Sequence, residues 1–179
     1  MKCKKSSFLN TNGFLIMNLI RSLAIFIFLS CVQYYAYAEL LSGKVVSVSD
    51  GDTITVLDSA NTQYKIRLVG IDAPEKAQAF GQVSKKSLSD LVFNKDVEIS
   101  WEKRDRYQRI LGKVLLNGQD VCLEQVKRGM AWHYKKYQRD QNPADRAAYA
   151  LAEKKARDIR LGLWADEAPI EPAQFRHKK

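Results

Sequence analysis

Apolar and polar positions alternate with period two in several short runs between residues 41 and 116, and recur with helical spacing in three other segments. Leu41–Val48 alternates weakly and reads as a first strand. Asp50-Gly51 supplies a turn, and Thr53–Leu57 follows as a second strand. DSANT (Asp58–Thr62) is the next turn. In YKIRLV (Tyr64–Val69), Tyr64, Ile66 and Leu68 share one face while Lys65, Arg67 and Val69 share the other, the pattern of a third strand. Pro74 then ends the strand and prepares a helix. Phe80–Phe93 can gather Phe80, Val83, Leu88, Leu91 and Val92 on one broad helical face. Asp96–Trp101 and Ile110–Leu116 read as strands four and five, and Asn117-Gly118 as a turn. Val121–Met130 reads as a short helix closed near Gly129. Asp145–Leu163 is the clearest helix, with Ala148, Leu151, Ala152, Ala156, Ile159 and Leu163 three or four apart.

Three strands, a helix, two strands and two helices predict an α+β fold. Five short strands in so small a domain favour closure, because an open sheet would leave edges to protect. The expectation is a five-stranded oligonucleotide-binding-type β-barrel with three helices.

The two ends of the chain differ from this middle. Residues 1–38 contain four Lys/Arg and no acid, an apolar core at Leu23–Val32, and Ala36-Tyr37-Ala38 in a small-x-small arrangement. That is the layout of a secretory signal peptide, with Met17 as an alternative start. An uncleaved N-terminal anchor, or a lipoprotein modified at Cys31, are the competing readings. Residues 39–165 form the expected single domain, and residues 166–179, with two prolines and many polar residues, a flexible tail. The expected location is exported, periplasmic or secreted, with no integral membrane contact after cleavage. With no oligomer signal, a monomer is expected.

Charge refines the picture modestly. The full chain carries +9, and without the leader 25 Lys/Arg stand against 20 Asp/Glu. Such an excess suits a polyanion but also many inert surfaces. Only Cys122 remains beyond the leader, so no internal disulfide can form in the mature chain. Its place at the start of an apolar helical pattern reads as buried core rather than as a reactive thiol.

Three constellations carry candidate chemistry. Asp52 opens the second strand, and Asp72 and Glu75 follow the third, so a hairpin can bring three acids together. Three close carboxylates repel unless a cation sits among them, and oxygen ligands point to Ca²⁺ or Mg²⁺. Nothing offers Cys/His spacing for zinc. Singly, each acid has a plainer reading: Asp50 forms the turn, Asp72 caps a strand end, and Glu75 sits in a helix's first turn. The second constellation is KRDRYQR (Lys103–Arg109), either a solvated loop or a set of guanidiniums for a phosphate in transfer. The third is WHYKKY (Trp132–Tyr137), aromatics interleaved with lysines, which can stack bases and hold backbone phosphates. Trp132 also suits a core position, and His133 reads as a surface residue rather than a general base.

Five ordered motifs together resemble a known family: DGDT (Asp50–Thr53), IRLVGIDAPE (Ile66–Glu75), DRYQR (Asp105–Arg109), VKRGMAW (Val126–Trp132) and GLW (Gly162–Trp164). They are similar to those of the thermonuclease, or staphylococcal-nuclease-like, family across nearly all of residues 40–165. The resemblance implies a five-stranded oligonucleotide-binding-type barrel and a calcium-dependent endonuclease, with Mg²⁺ as the alternative ion. It further implies action on DNA and RNA, with single strands favoured, little sequence preference and 3′-phosphate products. Asp52, Asp72 and the Ala73 backbone carbonyl are implied as metal ligands. Arg67, Glu75 and Arg109 are implied as catalytic residues, Glu75 as general base and the arginines on the phosphate. Lys103, Arg106, Tyr107, Tyr134, Lys135, Lys136 and Tyr137 are the candidate nucleic-acid contacts. Two departures stand out: the segment between Glu75 and Phe80-Gly81 is short, and Gln108 occupies a place where the family often has Gly. The competing class is a non-catalytic nucleic-acid-binding module of the same fold.

Overall fold

The computed structural model describes residues 39–177, and the expectation of a signal peptide over residues 1–38 lies outside them. Strands β1 (Glu39–Asp50), β2 (Thr53–Leu57), β3 (Gln63–Leu68), β5 (Asp96–Arg104) and β6 (Ile110–Leu116) form one sheet in the order β3-β2-β1-β5-β6. A parallel pairing of β3 with β6 (Ile66↔Ile110, Leu68↔Gly112) joins the two ends and closes the barrel. Closure removes the edges that five short strands would otherwise expose. β1 serves both halves. It pairs with β2 near the Asp50 turn and with β5 from Glu39 to Lys44, and its register shifts at Val45/Ser47 and Val48/Asp50. Such irregularities bend a long strand around a small barrel.

Alternation along the strands fills the interior. Val45, Ile54, Val56, Ile66, Leu68, Ile99, Ile110 and Val114 are buried, with Leu88 and Val92 from helix α1 (Gly81–Val92) against them. β4 (Ile71–Asp72) leaves the barrel after Gly70 and pairs with β8 (Trp132–His133). The two-residue β7 (Gln119–Asp120) turns back to pair antiparallel with the end of β6 before helix α2 (Val121–Lys127). Asp120 caps that helix by accepting the Leu123 N–H at 3.0 Å. A 3₁₀ segment (Lys135–Asp140) leads to α3 (Pro143–Asp158), another 3₁₀ turn (Gly162–Ala165) follows, and a short helix α4 (Pro172–His177) comes last. The fold is thus the expected α+β type: a five-stranded barrel with three substantial helices.

Several local expectations are corrected. The buried face of α3 is Tyr149, Ala152, Glu153 and Ala156, whereas Leu151 and Ile159 point outward at 53% and 70% exposure. The helix starts at Pro143 under an Asn142 cap, and Tyr149 turns inward to donate its hydroxyl to Asp120 at 2.9 Å. A polar anchor therefore chose the face over aliphatic spacing. In α1 the close-packed positions are Gly81, Ser84, Leu88 and Val92, and Val83 is half exposed. His133 is buried, not superficial: β8 seats it beside Ile71, and its Nε2 lies 2.8 Å from Gln141 Oε1. Cys122 is buried, and that burial pushes its thiol up to about 12. Residues 172–177 of the expected tail form α4, with Pro172 buried. Among the described residues no helix is long and apolar enough to cross a membrane.

Candidate active site

The Asp50-Gly51-Asp52 turn is built by contacts from two directions. Asp50 Oδ1 accepts the Asp52 backbone N–H at 3.2 Å, closing the turn on itself. Gly51 is required by space: a Cβ there would run into Ser84 Oγ and Ala73. The buried Gln125 donates its amide to the Gly51 carbonyl at 3.0 Å and to the Ser84 carbonyl at 3.2 Å, and accepts from Ser87 Oγ at 2.7 Å. Helices α1 and α2 thereby fix the turn that delivers Asp52 to the end of the barrel.

Asp72 arrives by another route. β3 ends at Leu68, Gly70 takes φ 74°, and β4 returns toward the strand it left. The Gly70 carbonyl accepts the Tyr134 N–H at 2.9 Å, which seats Tyr134 beside this corner. Arg67 joins the two acids, with Nη2 3.0 Å from Asp52 Oδ2 and 3.0 Å from Asp72 Oδ1. Its Nη1 donates to the carbonyls of Leu68 (2.7 Å) and Ile71 (3.0 Å), so the guanidinium also stitches the corner. The Ala73 N–H donates to Asp52 Oδ2 at 2.7 Å. Asp52 and Asp72 are only 6% and 2% exposed, which makes this a buried carboxylate pair bridged by one cation. Burial pushes the Asp52 carboxyl up to about 7; Arg67 and the Ala73 N–H pull against it, while Asp50 and Asp72 add to it.

Glu75 stands outside this pair. Its backbone N–H donates to Gln78 Oε1 at 3.1 Å, and its carboxylate is joined to Asp72 through Arg176 of α4, a residue that no local pattern marks as a site residue. Arg176 Nη2 lies 2.9 Å from Asp72 Oδ2, and Nη1 lies 3.2 Å from Asp72 Oδ1 and 2.8 Å from Glu75 Oε1. Partial burial favours losing its proton, but the two carboxylates outweigh that and hold it above the usual guanidinium range. Among the described residues, no group of three or more Asp, Glu, His or Cys converges as a ready metal cage. The three acids instead meet pairwise, each pair around a guanidinium.

Arg109 is aimed by its own loop. Its Nε and Nη2 each lie 2.7 Å from Asp105 Oδ2, and Asp105 Oδ1 accepts the backbone N–H groups of Tyr107 (2.8 Å) and Arg109 (3.0 Å). Slight burial works to raise the Asp105 pKa, but these bonds prevail and hold it below the ordinary value. Gln108 takes φ 62°, the left-handed conformation that glycine adopts without penalty. The turn thus keeps that backbone shape with glutamine in it. Ile66 of β3 pairs with Ile110 of β6 and both are buried; Arg67 follows the first, and Arg109, in the loop before β6, precedes the second.

Aromatic and basic side chains surround this end of the barrel. The Tyr134 and Tyr137 rings meet edge-on at 5.0 Å, and Lys136 lies over Tyr137. Burial, then the charge of Asp72, raise the Tyr134 pKa, placing its hydroxyl in electrostatic reach of the acids. Tyr107 is 64% exposed, with the guanidiniums of Arg106 and Arg109 4.8 and 5.5 Å from its ring centre. Two of the candidate lysines have partners: Lys103 pairs with Asp140 at 2.7 Å and Lys135 with Glu153 at 2.6 Å.

A closed five-stranded barrel with buried carboxylates bridged by guanidiniums and exposed tyrosines can host many chemistries. Comparison with known proteins narrows the choice. A family model described as "Staphylococcal nuclease homologue" matches residues 65–166. The chain is 50% identical over 136 residues to an "Uncharacterized endonuclease" of Haemophilus influenzae, covering 76% of this chain and 73% of that protein. It is 40% identical over 154 residues to a "Micrococcal nuclease" of Shigella flexneri, covering 81% and 85%. A 41% match over 140 residues to an "Uncharacterized endonuclease" of Escherichia coli covers 78% and 87%. The chain belongs to the staphylococcal nuclease homologue family.

Proposed function

We propose that this protein is a calcium-dependent endonuclease that hydrolyses phosphodiester bonds of DNA and RNA with little sequence preference. The observation that carries the reading is the buried pair Asp52 and Asp72, bridged by Arg67, with Glu75 one guanidinium away. Two acids held out of water at such a spacing need positive charge, and a second guanidinium already lies on Asp72. An all-oxygen donor set suits a hard divalent ion, Ca²⁺ first and Mg²⁺ second. Asp52, Asp72 and the Ala73 carbonyl would hold it. Bound there, such an ion supplies Lewis-acid stabilisation of phosphate charge.

The chain's own residues account for the rest of the chemistry. Glu75 accepts a hydrogen bond from the attacking water and takes its proton as the oxygen bonds to phosphorus. Arg67 and Arg109 hold the phosphate oxygens as charge builds on them, with Arg109 toward the departing 5′ oxygen. Breaking the bond to that oxygen leaves a 3′-phosphate and a 5′ oxygen that takes a proton from solvent to become the 5′-hydroxyl. Tyr134, Tyr137 and Tyr107 offer faces for unpaired bases, and Lys103, Arg106, Lys135 and Lys136 offer charge along the backbone. Contacts of this kind favour single strands and weaken with salt. Export of a monomeric mature chain from Glu39 belongs to the same reading and rests on the leader pattern; N-terminal sequencing of the protein from cells tests it.

The decisive assay incubates the protein with single-stranded DNA and with RNA in Ca²⁺, in Mg²⁺ and in chelator, followed by end-group analysis. Cation-dependent internal cleavage leaving 3′-phosphates is the expected result. Binding without cleavage under every condition would instead assign the chain to the non-catalytic binding modules of this fold.

A further inference from the structure

The side chain of Arg176 spans the acids on which the proposed chemistry depends, and it comes from the far end of the chain. It engages both oxygens of Asp72 and one oxygen of Glu75. We propose that the C-terminal segment 166–177 is an intramolecular competitor for the divalent cation, a latch that holds the site closed until the ion displaces it. This rests on the reading of Asp72 as a cation ligand and Glu75 as the water-activating base.

The competition follows from charge and from atoms shared. An ion ligated by Asp72 needs an oxygen that Arg176 now uses, and its two positive charges repel an adjacent guanidinium. The Glu75 oxygen that Arg176 Nη1 holds at 2.8 Å is not open to water while the helix is docked. Cation entry and base activation are therefore gated by the same side chain.

The segment is also built to come away. A helix of six residues has no stability of its own in water. Its attachments include buried Pro172, Gln78 Nε2 donating to the Ile170 carbonyl at 2.6 Å, and Phe175, which lines an apolar cavity together with Phe80 and Trp132. The Arg176 side chain is 41% exposed, so water and salt weaken its ion pairs. Phe80 and Trp132 belong to a cluster separate from the barrel core, so this packing can be given up with the barrel intact.

Calorimetric titration of the full chain with Ca²⁺, read together with amide hydrogen exchange over residues 172–177, tests the latch. For a tail docked about nine-tenths of the time, opening it tightens apparent Ca²⁺ affinity about tenfold. Arg176→Gln is expected to give that gain. Phe175→Ala, which undocks the helix without altering any charge, is expected to move affinity the same way. In the unsubstituted protein, exchange over 172–177 should speed up as Ca²⁺ is added. Tightening in Arg176→Gln but not in Phe175→Ala would reduce Arg176 to a local charge effect and overturn the latch. Equal affinities in all three proteins, with exchange unmoved by Ca²⁺, would overturn it while leaving the calcium site standing. No Ca²⁺ binding by any of them would overturn both.

Discussion

Arg67 and Asp72 are five residues apart and on different strands, yet Nη2 of one lies 3.0 Å from Oδ1 of the other. Gly70 makes this possible by taking φ 74° between β3 and β4, so the chain folds back on the arginine it has just passed. The same guanidinium reaches Asp52 from the neighbouring hairpin. One cation thus ties the two turns that carry the buried acids.

Removing that cation should cost stability as well as activity. Arg67→Met leaves buried Asp52 without its guanidinium and Asp72 with Arg176 alone, and losing one partner of such a group typically costs about 3–5 kcal/mol. Urea unfolding should show the loss, and added Ca²⁺ should restore part of it. A midpoint unchanged by the substitution would mean that Arg67 does not neutralise the pair.

Glu75 is expected to matter for chemistry and little for the fold, since its side chain is 37% exposed. Glu75→Gln should lower single-turnover cleavage by about 10²-fold or more, within the usual range for a positioned base, and leave oligonucleotide affinity largely intact. Undiminished cleavage would remove Glu75 from the role of base.

Gln125 never touches the acids but holds the turn that presents Asp52. Gln125→Ala leaves the Gly51 carbonyl and Ser87 hydroxyl without their partner, a loss of roughly 1–3 kcal/mol for buried polar groups. Thermal or urea unfolding measures it. A stability unchanged within error would show that the turn is held by packing alone.

The loop that aims Arg109 offers a test of backbone strain. A non-glycine residue in the left-handed region costs about 1–2 kcal/mol, against which glycine's greater freedom when unfolded offsets roughly 0.5–1. Gln108→Gly should therefore stabilise the protein by about 1 kcal/mol or less and leave cleavage unchanged. A large fall in cleavage would mean that the glutamine side chain itself takes part.

Asp52 sets the expected pH dependence. Its carboxyl is pushed up to about 7 in the folded protein from 3.8, so the folded state binds this proton more firmly than the unfolded state does. The stability from that proton is fully present below about pH 4 and is lost as pH rises toward 7. Ca²⁺ needs the ionised form, so its affinity should rise across the same window, with nearly one proton released per ion near its lower end. Titrations in buffers of different ionisation enthalpy count that proton. No release at any pH between 4 and 7 would show that Asp52 is already ionised before the ion arrives.

Much of the barrel could be read from the chain because its strands are locally marked. Thr53–Leu57 and Ile110–Leu116 begin and end in the structure where alternation and flanking turn residues put them. β1 and β5 run further than their patterns suggested, to Glu39 and Arg104, because pairing between distant segments extends them past their buried stretches. Helical spacing alone turns Leu151 and Ile159 of α3 inward, whereas Tyr149 takes the buried face by reaching Asp120, 29 residues away. His133 looked superficial among lysines and tyrosines, and only the pairing of β8 with β4 buries it. Arg176 was the least legible of all. It lies 104 residues from Asp72, in a polar segment with no periodic pattern, and nothing local marks it as a partner of the acids.

The central claim is that Asp52 and Asp72 gather one hard cation on which phosphodiester cleavage depends. A single titration can follow bound Ca²⁺ per chain and the cleavage rate of a single-stranded oligonucleotide, for the unsubstituted protein and for Asp72→Asn. The account predicts one ion per chain, cleavage that rises with its occupancy, and loss of both in Asp72→Asn. Cleavage that survives chelation, or an Asp72→Asn protein that binds and cuts as before, would contradict it.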